Sequence, residues 1–147
     1  MKTLLKLTFL LFFSITNAQF AETALPDEKV KTIGGFSNLG MSHAVLRYEI
    51  IDDIKVYSLK YGLTQDVSHI LQFNETGSDL EALYDLINTF FIKENKKKDV
   101  YKKAFKLGDV DVICRSSHNI PYQVSFKTDQ GQFRMSERQF NKLFGKR

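Results

Sequence analysis

Apolar and polar positions change period along this chain, and the changes mark its elements. Val45 to Ile51 alternates, with Leu46, Tyr48 and Ile50 on one side and Arg47 and Glu49 on the other. That period of two predicts a strand with one buried face. Ile54 to Tyr61 is a second strand-like run, and Asp52-Asp53 between the two predicts a tight hairpin turn. Ser68 to Phe73 is a third candidate strand. The period then becomes helical. Leu80, Leu83, Tyr84, Ile87, Phe90 and Phe91 follow the i, i+3, i+4, i+7 rule, and Leu86 widens their stripe. Ser78 and Glu81 form a Ser-x-x-Glu capping box ahead of it, and Lys93, Lys96, Lys97 and Lys98 suit the carbonyl end. The pattern predicts one long amphipathic helix over about 78–93.

Beyond it, alternation returns. Ala104 to Leu107 is a short strand candidate, broken by Gly108-Asp109. Val110, Val112 and Cys114 alternate against Asp111, Ile113 and Arg115, and Tyr122, Val124 and Phe126 against Gln123, Ser125 and Lys127. Asp129-Gln130-Gly131 turns the chain into Phe133 and Met135. Ser136 and Gln139 form a second capping box, and Met135 is placed to staple Phe140. Phe140, Leu143 and Phe144 then predict a short C-terminal helix over about 137–144, with Gly145 as its cap. Short turns between strands imply a mainly antiparallel sheet, and the fold class is α+β. Strands ending in a capped helix, twice over, form a candidate βββα-βββα pseudo-repeat. The Gly34, Gly35 and Gly40 segment lacks phosphate-loop spacing and reads as a loop or a bulged first strand.

The first 18 residues change the picture of what folds. Lys2 and Lys6 precede an apolar stretch from Leu7 to Ile15, and Thr16-Asn17-Ala18 offers small residues before a cut. This is the pattern of a secretory signal peptide, too short to span a bilayer as an anchor. The expected organisation is a signal peptide over 1–18, a polar leader over 19–31 and one α+β domain over 32–147. No transmembrane segment is expected after cleavage. The preference for Lys over Arg and the Asn-Ala-Gln junction resemble exported bacterial proteins, so the expected location is periplasmic or extracellular. Cys114 is the lone cysteine, which excludes an internal disulfide.

Charge is divided unevenly. Residues 19–92 carry 5 Lys/Arg against 11 Asp/Glu, and residues 93–147 carry 14 against 6, giving −6 and +8. The halves packing on each other would account for this; a basic face for an anionic partner is the sharper reading. The candidate binding residues are Lys96, Lys97, Lys98, Tyr101, Lys102 and Lys103, a basic run with an aromatic ring inside it. Export makes nucleic acid an unexpected partner.

Catalytic signals are sparse. His43, His69 and His118 show no metal-ligand spacing, and His118 in Ser-Ser-His-Asn is the candidate for acid/base work. Cys114 falls on the apolar side of its strand and reads as core. Asp52-Asp53 belongs to a turn, and Asp109 with Asp111 lacks the further oxygen ligands of a calcium loop. No metal or cofactor is expected. The sequence therefore reads as a small exported non-enzymatic binding domain of the bacterial envelope or exterior. Its partner is a protein or an anionic envelope component. Protein is favoured because some of the 13 Phe and 6 Tyr are expected on an open sheet face. The rival reading is a small periplasmic hydrolase or lyase using His118.

Overall fold

The computed structural model describes residues 29–38, 42–64, 67–76, 79–117 and 122–146. The predicted signal peptide, most of the leader, Gly40, Ser78 and the loop holding His118 lie outside the described residues. Two four-stranded antiparallel meanders form the protein. The first has β1 (Lys31–Ser37), β2 (His43–Ile51), β3 (Ile54–Thr64) and β4 (Val67–Asn74) in that order. The second has β5 (Lys102–Leu107), β6 (Val110–Ser117), β7 (Gln123–Lys127) and β8 (Gln132–Met135). A helix follows each meander, and each meander has four strands where the candidate pseudo-repeat expected three. The glycine-rich segment is the extra strand of the first unit: β1 pairs with β2, with its register shifting between Thr32 and Gly34.

Alternation decides which side chains meet. Phe36, Leu46, Tyr57, Leu59, Tyr61, Leu71 and Phe73 point from the first sheet into one core. Val112, Cys114, Val124, Phe126, Phe133 and Met135 meet them from the second. The rings make the contact: Tyr61 lies 5.5 Å from Phe133 and 6.2 Å from Phe126, which stack on each other at 4.9 Å. Tyr61 Oη and Thr128 Oγ1, both buried, share a hydrogen bond of 2.6 Å across the sheets. Among the described residues the exposed large hydrophobics are all aliphatic. The expectation of aromatic rings on an open sheet face is corrected. Their phase along the strands turns them inward, where the two sheets join.

The long helix is also corrected. Helix α1 runs Leu80–Asn88, one 3-10 turn, Thr89–Phe91, ends it, and Ile92 is extended before a separate short helix α2, Lys93–Lys96. Asp79 caps α1 by accepting from Glu81 N at 3.0 Å. Its far end is closed by side chains. Thr89 Oγ1 donates to the Leu86 carbonyl at 2.6 Å, Asn95 Nδ2 to that of Thr89 at 2.7 Å, and Tyr122 Oη to that of Phe90 at 2.9 Å. Carbonyls that a continuing helix would occupy from its own backbone are taken instead by side chains. The turn still buries Phe90 and Phe91, so the apolar stripe serves the core while the helix stops.

Helix α3, Glu137–Leu143, forms as predicted, with the reciprocal Ser136–Gln139 capping box. It lies against α1: Phe140 stacks on Tyr84 at 4.7 Å, and Tyr84 Oη donates to Asn141 Oδ1 at 3.0 Å. Its end sits on β1 so closely that a Cβ on Gly34 would come within 1.9 Å of the Lys142 carbonyl oxygen. Gly145, at φ +66°, then passes beside Ile33.

Two substitutions test this packing by urea denaturation. Phe133→Ala empties the centre of the inter-sheet contact and is expected to cost about 3–5 kcal/mol. Gly34→Ala forces α3 off β1 and is expected to cost about 1–3 kcal/mol. Midpoints equal to that of the unaltered protein would contradict this placement of the core.

Candidate functional site

The inner face of the second sheet is core, so chemistry on that sheet belongs to its outer face. Strand register sets its composition. Lys102 pairs with Arg115, Arg115 with Ser125, and Ser125 with Arg134, giving one row across four strands. The next row on the same face is Ala104, Ile113, Lys127 and Gln132. Neighbouring strands lie ~4.8 Å apart, so Arg115 and Arg134 flank Ser125 at roughly twice that separation. All of these but Ala104 line a groove of about 740 Å³ that also takes in Asp99, Val100, Ser116 and Ser117. Within this groove Lys102, Arg115, Lys127 and Arg134 face one carboxylate, Asp99, while Lys127 and Ile113 also border an adjoining hollow with Asp109, Asp111 and Asp129. None of the four cations joins an ion pair among the described residues.

The groove has a rigid frame. Buried Ser116 accepts from the Tyr101 amide at 3.0 Å and its own amide donates to the Tyr101 carbonyl at 2.8 Å, which holds the Val100 wall against β6. The Arg134 amide donates to Ser42 Oγ at 3.0 Å, tying β8 to the first sheet. The guanidinium and ammonium groups therefore rise from a fixed floor.

Only Lys102 of the predicted basic run lines this groove. Lys96 pairs with Glu137 at 2.8 Å and lies 5.8 Å from the rings of Phe91 and Tyr122. Lys98 and Lys103 sit over the Tyr101 ring at 4.9 and 5.8 Å. Lys97 is exposed on the turn after α2. Arg115, Lys127 and Arg134 stand far apart in sequence and were not among the predicted residues. Their signal was the outward phase of β6, β7 and β8, which places them together only once register is known.

The catalytic candidates assemble less. His118 lies outside the described residues. His43 Nε2 is 3.1 Å from Ser68 Oγ, but among the described residues buried Nδ1 has no hydrogen-bond partner, so none of their carboxylates orients the ring as a nucleophile-activating base requires. Asp52 and Asp53 form the β2–β3 turn, as expected. Asp111 pairs with Lys106 at 2.9 Å. Among the described residues no group of three His, Cys, Asp or Glu side chains is placed to hold a metal, and no helix is long and apolar enough to cross a membrane. Cys114 is fully buried, and desolvation pushes its thiol up to about 12. No protein family matches the chain, nor does any curated protein or solved structure.

Cys114 makes stability depend on pH. Its folded pKa of about 12 stands above an unfolded value of ~8.5. The unfolded chain therefore loses this proton first as pH rises. The contribution is whole below about pH 8.5 and is lost progressively toward pH 12, by up to about 1.4 kcal/mol per pH unit. Denaturation of the unaltered protein and Cys114→Ala at a series of alkaline pH values reads the difference. The variant is expected to show the shallower decline, and parallel curves would contradict a buried neutral thiol.

Proposed function

We propose that the protein is a small non-enzymatic binding domain, exported to the bacterial envelope or exterior. It docks a protein partner with an acidic surface on the outer face of its second sheet. The observation that carries this reading is the row Lys102, Arg115, Ser125 and Arg134, with Lys127 beside it, none of its cations in an ion pair among the described residues, over a rigid floor.

Charge distribution supports it. Packing of an acidic half on a basic half would neutralise both, yet of four ion pairs among the described residues only Lys146–Glu81 joins the halves. The positive charge of residues 93–147 is left facing solvent, where it steers and selects an anionic partner. The groove is also partly apolar. Val100 is 56% exposed and Ile113 37% exposed, and both line it. Apolar side chains between cations suit a folded or extended protein segment better than a purely ionic polymer.

Immobilised poly-L-glutamate serves as an acidic probe. Arg115→Glu/Arg134→Glu is expected to weaken binding about tenfold or more, and added salt to weaken it further. Lys96→Ala/Lys97→Ala/Lys98→Ala is expected to stay within about threefold of the unaltered protein, because those residues lie outside the groove. An unchanged affinity for the arginine variant, or an equal loss in both, would remove the groove as the docking site.

A further inference from the structure

The acidic surface best matched to this groove belongs to the chain itself. At the end of the first sheet, Ile51 pairs with Ile54 and the chain reverses through Asp52 and Asp53. These two have φ of +49° and +63°, the positive-φ residues other than glycine among the described residues. Asp tolerates the left-handed backbone of such a turn, so both carboxylates stand at its tip. Around them Ile50, Ile51 and Ile54 are 56%, 47% and 40% exposed. Lys55 is engaged with Glu75 at 3.4 Å, and Glu49 adds a further carboxylate beside the tip. The tip is acidic and apolar, and the groove is basic and partly apolar.

We propose that the β2–β3 tip of one copy docks in the groove of another. This inference rests on reading the groove as a docking site. A chain cannot fill its own groove with its own tip, because the two sheets meet through their inner faces and the groove lies on the outer face of the second. The contact joins two different surfaces, so it is heterologous and propagates head to tail, closing as a ring or extending as a chain of copies. A hairpin tip covers little area, which places the contact in the weak, concentration-dependent class. Its strength depends on two carboxylates meeting Arg115 and Arg134, so salt weakens it.

Sedimentation velocity of the purified protein over a concentration series tests this. In about 50 mM salt the weight-average sedimentation coefficient is expected to rise with concentration, and in about 0.5 M salt to stay at the monomer value. Asp52→Lys/Asp53→Lys and Arg115→Glu/Arg134→Glu are each expected to remain monomeric alone and to associate when mixed, since mixing restores opposite charge at both contacts. Asp52→Asn/Asp53→Gly keeps the turn, removes its charge and is expected to remain monomeric, which guards against a misfolded lysine hairpin. A monomer at every concentration in low salt, association of the neutral-turn variant, or a monomeric mixture would each overturn the proposal. Binding to poly-L-glutamate separates the two ideas. If the unaltered protein is monomeric yet binds it through Arg115 and Arg134, self-docking falls and the groove stands; if it does neither, both fall.

Discussion

The structure depends on a ring contact between two sheets. Tyr61 from β3 meets Phe126 and Phe133 from β7 and β8, and its hydroxyl finds Thr128. Burying a tyrosine costs free energy unless its O–H is paired, and the 2.6 Å bond meets that demand inside the core. The contact fixes more than its own residues. Once those rings point inward, every residue one step away on the same strands points outward. Ser125 and Lys127 flank Phe126, and Arg134 follows Phe133. The floor of the basic groove is the reverse side of the aromatic contact.

The helices complete the core and keep clear of that face. α1 contributes Leu83 and Ile87, its terminal turn Phe90 and Phe91, and α3 contributes Phe140 and Leu143. Lys146–Glu81 and Lys96–Glu137 bind positive charges to these elements, while the cations of the groove join no ion pair among the described residues. Two groups of lysine and arginine therefore differ in role. One is held at helix ends and over rings; the other is displayed.

Parts of this were legible in the sequence where the physics is local. The Ser136–Gln139 box acts within four residues and forms as read. The inward phase of Cys114 follows from period two along one strand. The turn at Asp52-Asp53 follows from residue type and flanking alternation. Reading failed where the deciding contact is distant. The stripe through Phe90 and Phe91 continues a helical pattern, yet Tyr122, 32 residues on, occupies a carbonyl at its end. The glycines of β1 left a loop and a bulged strand as alternatives, and pairing with β2 decides for the strand, with a register shift between Thr32 and Gly34. The basic run after α2 was conspicuous because its lysines are adjacent, whereas Arg115 and Arg134 meet only through two strand registers. Of that run only Lys102 lines the groove, and its aromatic neighbour Tyr101 serves as a seat for Lys98 and Lys103.

The central claim is that one sheet has a core side and a docking side. Residue-resolved amide shifts of the protein titrated with poly-L-glutamate test it most directly. The account predicts saturating changes at Lys102, Ile113, Arg115, Ser125 and Arg134, with Val112, Val124 and Met135 less affected. Changes centred on Lys96 to Lys98 with the four-strand row unmoved would contradict it.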